Sequence, residues 1–250
     1  MRNGNENTPK SNTANNTTKR KPKNPIKFKL TLNAEQKQAK ATILGNTITI
    51  LAGKAGAGKT LLACQVALDG LFTKQYDKII ITRPTVSKEE IGFLPGDLHS
   101  KMNVWLQPIY QNMFLLYNKD KVLKMIEDDK IEIVPVSFMR GRTFLNSCVI
   151  VDEAQNVTHE QLEMITTRIG KNSKMIICGD DAQIDLKVKS ESGFKFLYTI
   201  SKKVKNMEAI SLQTNHRDPI VDDLIELYYD FYQRTQFNNS NSGHTKNYNS

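Results

Sequence analysis

One stretch decides most of what this chain can fold into: Gly53-Lys54-Ala55-Gly56-Ala57-Gly58-Lys59-Thr60. The apolar run Thr47 to Ala52 precedes it and reads as a buried strand, and Leu61 to Leu71, rich in Leu and Ala, reads as a helix. G-x-x-x-x-G-K-T between a strand and a helix is the spacing of a phosphate-binding loop. Glycines let the backbone turn tightly enough to bring successive N–H groups onto phosphate oxygens. The helix N-terminus adds free donors and the positive end of its dipole. Lys59 is placed to reach the β- and γ-phosphates, and Thr60 to hold Mg²⁺. The expected nucleotide contacts are therefore Gly53, Lys54, Ala55, Gly56, Ala57, Gly58, Lys59, Thr60 and Leu61. The bland alternative, a Gly/Ala-rich turn that happens to carry a lysine, is disfavoured by the strand–loop–helix context.

At 250 residues the chain can bury one large α/β core or two small ones. No apolar run is long enough to span a bilayer, and the N-terminus has no apolar segment, so neither a membrane span nor a signal peptide is expected. Cys64, Cys148 and Cys178 are odd in number, form no C-x-x-C pair and sit in apolar segments. They are expected as buried, reduced thiols of a cytoplasmic protein.

The formal charge is +9, and its location decides its meaning. Residues 1–29 hold eight cations against Glu6 alone, and residues 234–250 add Arg234 and Lys246 with no acid, so 30–233 is neutral. A globally basic nucleic-acid-binding face therefore does not follow from the charge. Residues 1–24 are too polar to offset their ordering entropy and are expected to be a disordered basic arm, with a folded unit over 25–233 and a polar tail over 234–250. Lys19-Arg20-Lys21-Pro22-Lys23 reads either as an arm touching nucleic-acid phosphates or as a solubilising tail.

Along the chain, Asn33 reads as the N-cap of a helix to about Leu44, with Gln36 in the capping-box position. Lys78–Thr82 is an expected strand ending at Arg83-Pro84, and Val86–Leu98 an expected loop. Lys101–Tyr117 reads as a helix whose Met102, Trp105, Leu106, Ile109, Met113 and Leu116 form core, with Pro108 a candidate interruption. Ile131–Val136 is a strand, Phe138–Thr143 a basic loop, and Cys148–Val151 a strand running into Asp152-Glu153. A helix His159–Ile169, a strand Lys174–Cys178, a helix Ser192–Ser201, a strand Ala209–Leu212 and a helix Pro219–Tyr232 complete the reading. Strands alternating with helices predict an α/β fold, a parallel sheet covered on both faces.

Parallel strands place their C-terminal loops along one edge, so the phosphate loop, Asp152-Glu153, Gln183 and Arg217 can converge. Asp152 occupies the place of a Mg²⁺-holding aspartate. Glu153 can take a proton from an attacking water; the alternative is a pair of acids facing solvent at a strand end. Gln183 can hydrogen-bond that water and the γ-phosphate, or be a polar loop residue. Arg217 can offset charge on the transferring phosphoryl group, or be a solvated arginine at a helix start. The histidines show no metal-ligand spacing, and no serine-type triad is visible.

Five further segments carry a resemblance: Ile81-Thr82-Arg83-Pro84, Gly92-Phe93-Leu94-Pro95-Gly96-Asp97-Leu98, Phe138-Met139-Arg140-Gly141-Arg142-Thr143, Asp152-Glu153-Ala154-Gln155-Asn156 and Gln183-Ile184-Asp185. From about Leu30 to Phe231 the chain resembles the PhoH-like ATPase family, itself similar to the first motor domain of superfamily 1 helicases. The resemblance implies a RecA-like fold, ATP and Mg²⁺, and Gln36 as the glutamine that reads adenine. Asn215-His216-Arg217 resembles the helicase motif whose arginine reaches the γ-phosphate, although the family's Arg-His-Pro is here Arg217-Asp218-Pro219. The short form resembles versions carried by bacteriophages, which implies the host cytoplasm, and the family name reflects phosphate starvation. Larger members carry appended RNA-binding or nuclease domains, for which this chain is expected to have no room outside its tails.

The expected activity is ATP hydrolysis coupled to RNA or single-stranded DNA. The alternative is a nucleotide-dependent switch or scaffold; a small-molecule kinase fits the acid pair and following glutamine less well. The resemblance also implies a homo-oligomeric ring, a hexamer. Arg140 and Arg142 are candidates for a contact across subunits, for a nucleic-acid phosphate, or for a plain solvated turn.

Overall fold

The computed structural model describes residues 30–84 and 98–214, with isolated positions between 218 and 231. Six strands, β1 (Ile48–Gly53), β2 (Lys78–Arg83), β3 (Ile131–Pro135), β4 (Ser147–Val151), β5 (Lys174–Gly179) and β6 (Met207–Leu212), form one sheet in the order β3-β2-β4-β5-β1-β6. Every neighbouring pair is parallel. The helices are α1 (Ala34–Gly45), α2 (Lys59–Phe72), α3 (Leu98–Leu116), α4 (Lys119–Glu127), α5 (His159–Thr166) and α6 (Phe194–Ile200).

Alternation along each strand builds two core layers. Leu51, Ile79, Ile81, Ile150 and Ile176 meet Ile43, Leu62, Val66, Ile109 and Met113 of α1 to α3. Ile50, Ile80, Val149, Val151, Met175 and Ile177 meet Leu162, Ile165, Phe194 and Leu197 of α5 and α6. β4 and β5 are buried along their whole length, which is why they read as unbroken apolar runs. All three cysteines are buried and free, and burial pushes the Cys148 thiol up to about 12, so it stays protonated and inert. No helix among the described residues is long and apolar enough to cross a membrane.

The structure departs from the sequence reading in places. α3 runs unbroken through Pro108, and Asn112 Nδ2 donates to the Pro108 carbonyl at 2.8 Å. Leu106, Ile109, Met113 and Leu116 are buried on either side of the proline, and that packing outweighs the backbone bond it removes. α4 was not anticipated, although Val122, Met125 and Ile126 lie at helical spacing and pack against the core. Its start is set by Asn118, whose side chain accepts from the Lys121 N–H at 3.1 Å. β3 ends at Pro135, and Val136 belongs to a 3-10 turn, Val136–Met139, instead of the strand. α5 ends at Thr166; Ile169 bridges Phe144. Leu98 opens α3, while the rest of the expected loop, the side chains of Met102 and Trp105, the two tails and Asn215-His216-Arg217 lie outside the described residues.

α1 has no basic residue in its last turn, and its carbonyls are served from β5 instead. Lys174 Nζ donates to the carbonyls of Ile43 at 2.5 Å, Leu44 at 3.4 Å, and Asn46. Burial holds this ammonium below the usual lysine range. Lys174→Met removes the donor and should cost about 1–3 kcal/mol. In a domain of this size that lowers Tm by roughly 3–8 °C, measurable by calorimetry. An unchanged Tm would mean that water serves these carbonyls equally well.

Candidate nucleotide site

The phosphate loop is shaped by glycines with positive φ. Gly56 and Gly58 lie at +84° and +83°. Gly53 lies at +148°, where an added Cβ would sit 2.4 Å from the Leu212 carbonyl of β6. Gly58 caps α2 without a side chain, so the first N–H groups of α2 keep no side-chain acceptor and suit an anion. Lys59 Nζ folds back over the loop, donating to the carbonyls of Gly53 at 2.6 Å and Lys54 at 3.0 Å.

Thr60 Oγ1 donates to Asp152 Oδ1 at 2.6 Å. This bond spans the width of β5, which separates β1 from β4. Asp152 is 4% exposed. Burial raises its pKa first of all and the Glu153 charge adds to that, while the Thr60 hydrogen bond and Arg83 pull it down. A buried carboxylate beside a hydroxyl is a donor set that fits Mg²⁺, which takes one or two protein oxygens, phosphate oxygens and waters. Among the described residues no group of three His, Cys, Asp or Glu could cage a metal.

Glu153 follows in a left-handed conformation, φ +51°, which turns its side chain away from that of Asp152. Its Oε1 lies 3.6 Å from Arg83 Nη2, and its Oε2 accepts from Gln155 Nε2 at 2.7 Å. Gln155 is 1% exposed and ties three groups together. Besides Glu153, its Nε2 reaches the Gln183 carbonyl at 3.2 Å, and its Oε1 accepts from the Asp180 N–H at 3.1 Å. Gln183 is held in turn by Asp180, Nε2 to Oδ2 at 2.8 Å.

These groups line a cleft of about 550 Å³. Its polar lining includes Lys59, Thr60, Asp152, Glu153, Asp180 and Gln183; a second set joins Leu30, Leu32, Leu61 and Leu116 to the amides of Gln36, Gln65 and Asn112. Gln36 serves two structures at once, since its Oε1 also accepts from the Asn33 N–H at 3.2 Å in the capping box of α1. Gln65 is 5% exposed, and its Oε1 has no partner among the described residues. A larger cavity of about 950 Å³, walled by Asp77, Asn146, Asn172 and Lys174 among others, lies at the opposite edge of the sheet and takes in none of the site residues.

Sequence reasoning did not single out Arg83, Gln155, Asp180 or Gln65. Arg83 and Gln155 sit in the segments that carry the family resemblance, which was the available signal, and Asp180 lies three residues before the last of them. Gln65 looks like any polar residue on an apolar helix. Arg217 lies outside the described residues. Arg142 forks onto Glu132, with Nη1–Oε1 at 2.8 Å and Nη2–Oε2 at 2.7 Å, and Lys78 joins at 3.0 Å. Arg140 is exposed on the same loop.

A six-stranded parallel sheet with a glycine loop after β1 and an acid pair after β4 defines a P-loop nucleotide-binding protein of the α/β class. The family model described as PhoH-like protein matches residues 30–229, and the chain belongs to that family. It is 40% identical over 202 residues to the PhoH-like protein of Synechocystis sp., covering 80% of this chain and 61% of the relative. It is 40% identical over 196 residues to that of Bacillus subtilis, covering 77% and 61%. With Protein PhoH of Escherichia coli it shares 42% over 137 residues, 54% of this chain and 39% of that one. The chain thus spans about three fifths of the length of the first two relatives. Among solved structures it is similar to the Pif1 helicase from Candida albicans, at 16% identity and TM-score 0.41, over 79% of this chain and 43% of that one. It is also similar to the large terminase of bacteriophage D6E, at 12% and 0.48, over 73% and 46%.

The Arg142 pair gives a stability test. The two Arg142 hydrogen bonds are the largest influence holding the Glu132 carboxyl below its ordinary range. Its stabilisation is present above the unfolded pKa and is lost as pH falls through the folded one. Glu132→Gln should therefore cost roughly 0.5–1 kcal/mol at neutral pH, since solvent screens a partly exposed pair. The cost should begin to shrink below about pH 4 and vanish only once the pH is below the depressed folded value. Urea unfolding of both proteins across that range checks it; a penalty independent of pH would mean that packing, not charge, is lost.

Proposed function

We propose that this chain is a Mg²⁺-dependent ATPase whose turnover is coupled to RNA or single-stranded DNA. The observation that carries the reading is the Thr60–Asp152 hydrogen bond at 2.6 Å, with Glu153 beside it, at the mouth of a glycine loop. The loop N–H groups and α2 receive the phosphates, and Lys59 exchanges its two carbonyl partners for phosphate oxygens. Thr60 and Asp152 would hold Mg²⁺, which would offset charge on the phosphates. Glu153 accepts the proton of an attacking water, and Gln183 orients that water. Gln36, with Gln65 near it in the same lining, receives the base.

Arg217 is the proposed source of further positive charge, and Arg140 the proposed contact of its loop with nucleic acid or a neighbouring subunit in a ring. The catalytic unit is taken as 25–233 between two polar arms, a division supported by the family match over 30–229. A second reading, a nucleotide-dependent switch without continuous turnover, has one observation in its favour. Both carboxylate oxygens of Glu153 are engaged, by Arg83 and Gln155, and must be released before the group can act as a base.

Lys59→Ala should abolish hydrolysis and weaken binding of a fluorescent ATP analogue. Glu153→Gln keeps the shape of the site and removes the base, so it should retain the nucleotide and slow turnover by ~10²–10⁴-fold. Steady-state phosphate release, with and without single-stranded RNA and DNA, measures both. Turnover by Glu153→Gln at the wild-type rate would remove the base assignment. Tight binding with no wild-type turnover would select the switch.

A further inference from the structure

We infer that a shallow depression beside α6 binds single-stranded nucleic acid and is joined to the hydrolytic site by the loop that follows Gln183. The inference rests on the ATPase reading and names a surface for its partner. The depression measures about 320 Å³ and is lined by His159, Lys189, Ser192, Lys195 and Phe196, among others. Phe196 leaves 53% of its surface exposed, and its ring stands edge-on to His159 with centroids 5.6 Å apart. A ring left open at a concave site offers a face on which a base can stack.

The local charge agrees. Residues 186–195 carry Lys187, Lys189 and Lys195 against Glu191, within a folded region that is neutral as a whole. Neither Lys189 nor Lys195 forms an ion pair among the described residues. The Ser192 hydroxyl, on a residue 7% exposed, also lacks a hydrogen-bond partner among them. Cations beside open rings suit a ligand that alternates phosphates with unstacked bases. A duplex would offer the phosphates but keep its base faces stacked, and an acidic peptide would use the lysines alone.

The connection to chemistry is covalent and short. The loop leaves Gln183, which lines the nucleotide cleft, lines the depression with its next residue, Ile184, and meets it again at Lys189. On the way Asp185 is pinned to the turn after Glu153: its N–H donates to Asn156 Oδ1 at 2.7 Å, and Asn156 Nδ2 donates to its carboxylate at 3.2 Å. The far end is pinned as well, through the Thr158–Ser192 bridge and the Gly193 N–H to the Val157 carbonyl at 3.1 Å. A strand seated on Lys189 and Lys195 therefore bears on the elements that carry Gln183 and Glu153.

The test uses the full chain with fluorescein-labelled oligo(dT) and oligo(U), read by anisotropy across a salt series, alongside ATP hydrolysis. The variants are Lys189→Glu/Lys195→Glu and Phe196→Ala, with Lys119→Glu/Lys121→Glu on α4 as the control. The double lysine variant should bind at least tenfold more weakly, with a log–log salt slope shallower by about 1.4 for two lost phosphate contacts. Phe196→Ala should weaken binding about fivefold or more through lost stacking and leave the slope unchanged. Both should hydrolyse ATP at the wild-type basal rate and lose stimulation by the oligonucleotide; the control should do neither. If wild type binds and these variants match it in affinity and slope, the surface is wrong while the ATPase reading stands. If wild type hydrolyses ATP but binds neither oligonucleotide, both the surface and the nucleic-acid coupling are overturned.

Discussion

The structure depends on a hydrogen bond that has to cross a strand. Thr60 lies in the first turn of α2 and Asp152 directly follows β4, yet the two side chains meet at 2.6 Å. They can do so only because the sheet is parallel and β5 lies between β1 and β4. Both chain segments then leave the sheet at one edge, with Gly179 of β5 on the floor between them. That floor has to be thin. A Cβ on Gly179 would stand 2.6 Å from the Phe194 ring, so the glycine is required by packing from the opposite layer as well as by its place in the cleft.

Around this bond the polar groups form a closed circuit. Gln155 spends its donors on Glu153 and on the Gln183 carbonyl, and its acceptor on the Asp180 N–H. Asp180 holds Gln183 and also receives the Ala182 N–H at 3.0 Å. A buried amide satisfied in this way fixes geometry, because any movement of one partner leaves another polar group unpaired. The left-handed turn at Glu153 adds to this, since a non-glycine residue persists there only where the surroundings impose it. The circuit therefore links the acid after β4 to the loop after β5 as one unit.

How much of this was legible in the sequence differs from element to element, for physical reasons. Strands buried on both faces announce themselves as apolar runs, and β4 and β5 were found within a residue of their ends. Gly56 and Gly58 are required by positive φ, so their spacing carried the loop shape directly. α4 went unread although Val122, Met125 and Ile126 form a stripe at i, i+3 and i+4 against the core, because it is short and its remaining positions are mostly charged. Pro108 misled because tertiary packing along α3 overrode a local cost. The pairing of Arg142 with Glu132 could not be foreseen, since it needs the neighbouring β2 and β3 to bring Lys78 and Glu132 together. Gln155 was visible as a letter in a motif, but its role depends on Asp180, twenty-five residues away in the chain and adjacent only across the β4–β5 pair.

Charge placement explains why a search for a basic face would miss the surface beside α6. Averaged over 30–233 the charge is zero, so no long-range field draws a polyanion to the folded part. Attraction must then come from the polar arms at long range, or from short-range contact where cations lack acidic partners. Some cations near the sheet are not of that kind: Lys40 pairs with Asp69, and Lys78 and Arg142 with Glu132. Lys189 and Lys195 form no ion pair among the described residues, although the charge of Lys195 is felt at Asp181. The Asp185–Asn156 hydrogen bonds fasten the loop that leads to these lysines onto the turn that carries Glu153, so a polyanion held by short-range contact there pulls directly on the catalytic side of the sheet.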